Sequence, residues 1–156
     1  MMSGPQIGDA IPAAKLLDAD GATIDLAAMQ GAPLIVYFYP KADTPGCTVE
    51  AQDFTRLAPE FAHLQAQVLA VSRDAPAKLC KFRDKYGLTV RLASDEDGAV
   101  CDAFGTWVEK QNYGRSYMGI ERSTFLFGAD GKLAKAWRKV RVKGHAEAVL
   151  EAAKTL

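Results

Sequence analysis

An uninterrupted apolar run from Leu34 to Tyr39 constrains the fold more than any other stretch of the 156-residue sequence. Its β-branched and aromatic residues favour a strand. Because no polar residue alternates with them, we expect both faces of this strand to be buried. A strand of this kind lies in the middle of a sheet. The run therefore predicts a central sheet with other elements packed on each side.

A short loop follows this strand and leads to a single cysteine. Pro40 and Pro45 restrict the loop, and Gly46 is expected to let the backbone turn tightly before Cys47. From Cys47 onward apolar residues recur at helical spacing, so the thiol is predicted to lie at the start of a helix. The unpaired N–H groups and the dipole of a helix N-terminus favour the thiolate, which is the reactive form of cysteine. The loop thus indicates an activated thiol.

Predicted strands and helices alternate along the rest of the sequence. Apolar runs predict strands at 68–71 and 123–127, alternation predicts a short strand at 90–92, and a hairpin turn at 128–131 predicts a returning strand at 132–137. Apolar residues at helical spacing predict helices beginning near residues 47, 76, 98 and 146. Turn residues between 15 and 26 predict an N-terminal β-hairpin. This order predicts a single α/β domain over residues 1–156, with a central mixed β-sheet flanked by helices, compatible with a thioredoxin-like fold.

Three local features qualify this pattern. Pro59 is expected to kink the first helix without ending it, because the apolar stripe continues beyond the proline. Asp74 is expected to cap the second helix. Residues 105–119 are expected to form a long loop or a partial helix, because polar residues and glycines interrupt any sustained period.

Composition limits the partners that we expect. Nineteen basic and nineteen acidic residues cancel, so neither nucleic acid nor an anionic membrane is expected as a partner. No targeting segment is recognisable, and no apolar run approaches the roughly 18 residues of a membrane span, so we expect a cytoplasmic protein. Three cysteines without an extracellular signal favour reduced, redox-active thiols over a disulfide framework.

Thr44 and Cys47 allow two interpretations when taken alone. In the structural one, Thr44 caps the helix and Cys47 is a small buried apolar residue. In the functional one, the Thr44 hydroxyl lies beside the sulfur and exchanges hydrogen bonds with groups around it. The spacing favours the second, because Pro40, three residues, Thr44, two residues and Cys47 resemble the active-site signature of the peroxiredoxins, in which this cysteine attacks the peroxide.

The resemblance extends over almost the whole chain from about residue 7. The stretch KADTPGCTVE (residues 41–50) resembles the subgroup called bacterioferritin comigratory protein or peroxiredoxin Q, and further matches follow in order at 71–74, 93–98 and 119–126. The resemblance implies a thiol-dependent peroxidase that reduces hydrogen peroxide and organic hydroperoxides through a sulfenic acid on Cys47. It also implies that Arg122 reaches the Cys47 sulfur and that Glu50 orients Arg122, although Glu50 also suits the first turn of a helix on electrostatic grounds.

The chemistry requires stabilisation of an oxyanion as the peroxide bond breaks. We expect the donors to be the guanidinium of Arg122, the Thr44 hydroxyl, and the backbone amides of Gly46 and Cys47. A guanidinium suits this task because it stays cationic and presents its N–H donors in a fixed plane.

A second thiol is then needed to convert the sulfenic acid to a disulfide. In the subgroup the resolving cysteine lies at one of two positions, which here are occupied by Gln52 and Arg83. Cys80, one helical turn before Arg83, is expected to face away from the apolar side of its helix. We assign the resolving role to Cys80, with a chance surface cysteine as the other interpretation. Cys101, expected to be a buried apolar residue, is the alternative resolving thiol.

No cofactor motif is recognisable, so neither metal, flavin nor haem is expected. His63 and His145 lack other ligand types at metal-ligand spacing, which argues against a zinc site. The expected reductant of the disulfide is thioredoxin or a similar dithiol, and the subgroup resemblance favours a monomer. Two competing functions stay open: a one-cysteine peroxidase resolved by an external thiol, and a non-catalytic redox-sensing or holdase module.

Overall fold

The computed structural model describes residues 4–156, which form a mixture of strands and helices as predicted. The strands are β1 (Lys15–Asp18), β2 (Thr23–Asp25), β3 (Leu34–Phe38), β4 (Gln67–Ser72), β5 (Arg91–Ser94), β6 (Trp107–Asn112), β7 (Arg115–Ile120), β8 (Ser123–Phe127) and β9 (Leu133–Trp137). The helices are α1 (Pro45–Arg56), α2 (Ala58–His63), α3 (Pro76–Tyr86), α4 (Ala99–Ala103) and α5 (His145–Lys154), and a short 3-10 helix (Leu26–Met29) follows β2. None of the helices in this described part of the chain has the length and apolar character needed to cross a bilayer.

One mixed sheet organises the molecule. Its seven strands run in the order β2-β1-β5-β4-β3-β8-β9, while β6 and β7 form a separate two-stranded hairpin. The apolar strand β3 is parallel to β4 and antiparallel to β8, and all five of its residues are buried. The predicted central strand, mixed sheet and N-terminal hairpin are confirmed, and the hairpin joins the sheet through an antiparallel pairing of β1 with β5.

The sheet separates two apolar cores. Alternate residues of a strand point to opposite faces, so Ile35 and Tyr37 of β3 pack into one core and Val36 and Phe38 pack into the other. Helices α1, α2, α3 and α5 cover the first face, whereas α4 and the 3-10 helix cover the second. Side chains that belong to different cores therefore have the sheet between them.

The prediction of a loop or partial helix over residues 105–119 is wrong. The chain forms the β6–β7 hairpin there, with pairing from Trp107–Ile120 to Asn112–Arg115. Its turn residues Tyr113 and Gly114 have positive φ values of 52° and 78°, a combination typical of two-residue hairpin turns. Most of the hairpin is exposed, so its side chains lack the apolar alternation by which a half-buried strand is recognised.

The prediction that Pro59 only kinks the first helix is also wrong. Helix α1 ends at Arg56, and α2 begins at Ala58 after the non-helical Leu57. Pro59 has no backbone N–H to donate and its ring would clash with the preceding turn, so a continuous helix is disfavoured. The apolar stripe continues because both helices pack on the same face of the sheet.

Candidate active site

Cys47 lies in the first turn of α1, the helix that follows the central strand β3. It is the third residue of α1, which begins at Pro45, and its side chain is almost completely buried. A proline fits the first helical position because the N–H of that position has no partner in the helix. Among the described residues, the amides of Gly46 and Cys47 donate to no backbone carbonyl. The thiol therefore lies at the N-terminal end of α1, together with two unpaired amides and the positive end of the helix dipole.

Strand pairing brings Arg122 to this thiol. Ser123, the first residue of β8, pairs with Phe38, the last residue of β3. The residue before β8 therefore lies beside the loop that leaves β3. From this position one nitrogen of Arg122, Nη2, is 3.3 Å from the Cys47 sulfur, and the other, Nη1, is 2.6 Å from Glu50 Oε1. A single guanidinium thus contacts the thiol and a carboxyl group that lies one helical turn further along α1.

Gly46 leaves room for this guanidinium. Its backbone has no positive φ, so the expected tight turn does not explain the glycine. A β-carbon at this position would lie 3.3 Å from Arg122 Nη2, closer than most such contacts. The absence of a side chain at Gly46 therefore lets Arg122 approach the start of α1.

Thr44 and Pro40 lie at opposite ends of the loop between β3 and α1. Thr44 occupies the N-cap position of α1, but its side chain makes no capping hydrogen bond. Its hydroxyl instead donates to the carbonyl of Lys41 at 2.7 Å. The capping interpretation of Thr44 is therefore wrong, and a contact of its hydroxyl with a bound peroxide stays a prediction. Pro40 is exposed where the loop begins.

Two aspartates that the sequence analysis did not assign to the site hold this loop. Asp74 accepts a hydrogen bond from the Ala42 amide at 2.8 Å, and it does not cap α3 as predicted, because the N-cap is Ala75 and has no side-chain capping bond. Asp43 has a φ of 61° and accepts from Lys85 and Tyr86 at the end of α3. Aspartate tolerates this left-handed conformation better than most residues, but only the fold shows which aspartates contact the loop.

A cleft of about 520 Å³ opens at Pro40. Trp107 and Met118 of the β6–β7 hairpin provide apolar wall, and Arg73 and Lys110 provide positive charge. The Arg73 guanidinium lies 4.3 Å from the centre of the Trp107 ring, which is a cation–π arrangement. The cleft therefore offers an apolar and cationic surface beside the first residue of the active-site signature.

The buried carboxyl group of Glu50 has a perturbed protonation equilibrium. Burial raises its pKa from 4.5 to about 7, and the nearby guanidinium of Arg122 opposes this rise only in part. Its second oxygen, Oε2, has no hydrogen-bond partner among the described residues. The carboxyl group therefore titrates near neutral pH while it remains in contact with Arg122.

The substitution Glu50→Gln is expected to remove one component of the pH dependence of stability. The folded-state pKa of Glu50, about 7, exceeds the ordinary value of 4.5, so the native state binds more protons than the unfolded state between these pH values. The contribution of Glu50 is therefore fully present below pH 4.5 and is lost as the pH rises through about 7. Over this window, the free energy of unfolding of the wild type should fall relative to that of E50Q by ~1–3 kcal/mol. Urea unfolding of both proteins at several pH values measures this difference, and a difference that does not change with pH would contradict the assignment.

Cys80 lies on the same side of the sheet as Cys47. It is half-buried on α3 and packs against the core that contains Cys47, so it is less exposed than its helical position predicts. Its sulfur accepts a hydrogen bond from Arg83 Nη2 at 3.3 Å. The helix face that carries Cys80 is therefore partly covered, and the thiol has a specific cationic neighbour.

Cys101 lies on the other side of the sheet. It is fully buried on α4, within the second core, in agreement with the expected buried apolar residue. Burial, and then the adjacent Asp95 carboxylate, raise the pKa of the Cys101 thiol far above its ordinary value. A disulfide between Cys101 and Cys47 would have to form across the sheet, so this placement disfavours Cys101 as the resolving thiol.

The two histidines do not form a site with other ligands. His63 is exposed at the end of α2, whereas His145 is buried and its Nε2 lies 2.7 Å from Thr124 Oγ1. Burial lowers the pKa of His145 to about 4, so its imidazole is neutral at physiological pH. Within residues 4–156, no three side chains of the His, Cys, Asp and Glu types are grouped in a way that would hold a metal ion.

Comparison with known proteins gives a consistent set of relatives. A model of the AhpC/TSA family matches residues 7–136. Peroxiredoxin Bcp of Bacillus subtilis is 44% identical over 151 residues, which cover 97% of this chain and 94% of the relative. Peroxiredoxin Bcp of Xanthomonas campestris is 49% identical over 134 residues, which cover 86% of this chain and 84% of the relative.

Solved structures agree with these relatives. The bacterioferritin comigratory protein of Xanthomonas campestris, studied for alkyl peroxide reduction activity through trapped intermediate and ligand complexes, superposes with a TM-score of 0.88 at 45% identity. The superposition covers 94% of this chain and 98% of that chain. The similarity therefore extends over nearly the whole chain.

Proposed function

This chain belongs to the AhpC/TSA family and is a thiol peroxidase of the peroxiredoxin Bcp/PrxQ type, and from this premise we propose how its residues carry out the reaction. The substrates are a peroxide and a thiol reductant. The observation that carries the proposal is the position of Arg122, whose guanidinium contacts both the Cys47 sulfur and the Glu50 carboxyl group.

In the first step the Cys47 thiolate attacks one oxygen of the peroxide. A sulfur–oxygen bond forms and the oxygen–oxygen bond breaks, so that the sulfur is oxidised by two electrons to the sulfenic acid and the second oxygen departs as an alkoxide or hydroxide. That oxyanion takes up a proton and leaves as an alcohol or water. We assign the stabilisation of this developing charge to Arg122, which contacts the Cys47 sulfur, and to the amides of Gly46 and Cys47, which donate to no backbone carbonyl among the described residues, because preorganised donors lower the barrier most where charge appears.

In the second step Cys80 resolves the sulfenic acid. The Cys80 sulfur forms a bond to the Cys47 sulfur, the sulfur–oxygen bond of the sulfenic acid breaks, and water leaves. Both thiols contact the same core. A disulfide requires Cα atoms within ~7 Å, so the start of α1 and the Cys80 region are expected to unfold locally if the two residues start farther apart.

We propose that the substrates include organic hydroperoxides as well as hydrogen peroxide. Organic hydroperoxides are included because the cleft at Pro40 has an apolar wall and because the Xanthomonas campestris relative was studied for alkyl peroxide reduction. The disulfide is reduced by thioredoxin or a similar dithiol, which attacks one sulfur and then closes its own disulfide. We propose a monomer working in the cytoplasm, where such dithiols are kept reduced.

Cys80→Ser is expected to leave the reaction with peroxide intact but to prevent formation of the intramolecular disulfide. After one equivalent of hydrogen peroxide, peptide mapping of the wild type should show a Cys47–Cys80 bridge, whereas C80S should accumulate sulfenic acid on Cys47 that dimedone traps. With excess peroxide, C80S should be inactivated by over-oxidation several-fold faster than the wild type.

The substitution Cys101→Ser is the matched control, because it removes a cysteine that lies in the other core. C101S should form the same bridge as the wild type. A Cys47–Cys101 bridge in the wild type would transfer the resolving role to Cys101, and sulfenic acid alone would indicate a one-cysteine peroxidase that depends on an external thiol.

A further inference from the structure

The side chain of Arg83 is held in one orientation by two carboxylates. Its Nη1 lies 3.1 Å from both carboxylate oxygens of Asp20, and its Nε lies 3.2 Å from Asp84 Oδ1. Asp20 belongs to the turn between β1 and β2, whereas Asp84 is the next residue on α3. The two contacts approach the guanidinium from different elements and fix its plane, because the donors of an arginine are arranged rigidly.

The third nitrogen of this guanidinium points at a sulfur. Arg83 Nη2 donates to Cys80 Sγ at 3.3 Å, so every nitrogen of the group has a partner. The Cys80 thiol in turn donates a weak hydrogen bond to Asp84 Oδ2 at 3.8 Å. The Cys80 sulfur therefore has a cationic donor on one side and a carboxylate on the other.

We propose that Arg83 is a positioning residue for the resolving step, held in place by Asp20, and that it holds and activates Cys80 for attack on the oxidised Cys47. The proposal rests on the assignment of Cys80 as the resolving thiol. Neither Arg83 nor Asp20 touches the peroxide or the Cys47 sulfur, so both act only through Cys80.

Disulfide formation requires only the Cys80 thiol and the Cys47 sulfenic acid as reactants. The Cys80 thiol gives its proton to the Asp84 carboxylate, which exchanges it with solvent, and the Arg83 guanidinium stabilises the negative sulfur. This thiolate attacks the sulfur of the Cys47 sulfenic acid. The sulfur–sulfur bond forms as the sulfur–oxygen bond breaks, and the departing hydroxide takes a proton to leave as water.

The test is a single-turnover experiment on the full chain. The reduced protein is mixed with one equivalent of hydrogen peroxide and quenched with acid at intervals. The Cys47–Cys80 disulfide and the dimedone-trapped sulfenic acid are then quantified by mass spectrometry. The substitution Arg83→Gln should slow disulfide formation about tenfold, because a charge-assisted donor to the sulfur is lost. Asp20→Asn should slow it about two- to threefold, as expected for a partly exposed ion pair that only orients the guanidinium.

Two readouts separate this role from a general effect on the fold. The substitution Arg83→Lys keeps a cation and should restore part of the lost rate. The deficit of R83Q should shrink as the pH is raised from about 6 to about 9, because hydroxide then generates the thiolate that Arg83 otherwise favours. The rate of sulfenic acid formation on Cys47 should be the same in all variants.

The matched control is Arg91→Gln. Arg91 pairs with Asp18 at 3.2 Å, so this substitution breaks another ion pair to the same hairpin without touching Cys80. R91Q should form the disulfide at the wild-type rate. If R83Q does so too, or if its deficit is the same at every pH, the role of Arg83 is refuted. If the wild type itself forms no Cys47–Cys80 disulfide, the assignment of Cys80 as the resolving thiol fails instead.

Discussion

Replacing Cys47 with serine is expected to abolish peroxide reduction, with a fall in kcat/KM of about 10³-fold or more. A serine hydroxyl at this position is neither ionised nor readily oxidised, so the sulfur–oxygen bond of the first step cannot form. The fold should tolerate the change, because serine differs from cysteine by a single atom in a small buried side chain. Peroxide consumption with dithiothreitol as reductant measures the effect.

Cys101→Ser is the control for this experiment as well. It removes a buried cysteine of the opposite core and should leave most of the activity. Turnover that persists in C47S at a rate near that of the wild type would refute the assignment of Cys47 as the peroxidatic residue. A protein that reacts once with peroxide but does not turn over with any dithiol would support a redox-sensing module instead.

The second large effect is expected for Arg122. The substitution Arg122→Gln removes the cation that contacts the Cys47 sulfur at 3.3 Å, and kcat/KM should fall by about 10²- to 10³-fold. The loss should appear in the reaction of the reduced enzyme with peroxide, measured by stopped-flow, because the guanidinium stabilises charge that develops in that step. Arg122→Lys should recover only a fraction of the rate, since an ammonium group cannot contact the sulfur and Glu50 in one plane.

A stability effect must be separated from this catalytic effect. The Glu50 carboxyl group is 1% exposed, and removing its partner leaves a buried acid without a cation, at a cost of ~3–5 kcal/mol when it is ionised. The double variant E50Q/R122Q replaces both charges and should regain much of the stability but not the activity. Arg56→Gln, which breaks the exposed ion pair between Arg56 of α1 and Glu147, is the control for loss of an arginine that pairs with a glutamate, and it should react at the wild-type rate. An R122Q protein that reacts with peroxide as fast as R56Q would refute the role of Arg122.

Local patterns in the sequence were sufficient for the parts of the site that depend on near neighbours. The apolar run of β3, the prolines of the loop and the helical period after Cys47 each involve residues within a few positions of one another. Local patterns were not sufficient where a side chain can form hydrogen bonds with more than one partner. Asp74 satisfies the pattern of a helix cap, yet α3 is capped by Ala75 and the Asp74 carboxylate accepts from the Ala42 amide, because the fold brings this distant amide next to it.

The exposed β6–β7 hairpin and the function of Gly46 illustrate the same limit. A hairpin that contributes little to the core has no apolar alternation, so its strands could not be recognised. The sequence places Gly46 in the loop but predicts that it is needed for a tight turn of the backbone. The structure assigns the left-handed backbone to Asp43 instead and shows that Gly46 accommodates a side chain from 76 residues further along the chain (Arg122).

The position of one cysteine after a central buried strand and at the start of a helix can be predicted from the sequence alone, because strand and helix periods and loop prolines act over short distances. Motifs in the sequence also identified the family, and with it Arg122. Which groups contact the thiol depends on how the elements pack together. The register of β8 on β3 places Arg122 beside Cys47, and the division of the molecule by the sheet places Cys80 in the core of Cys47 and Cys101 in the other. Register and sheet face are properties of the assembled sheet, so no local stretch of sequence contains them.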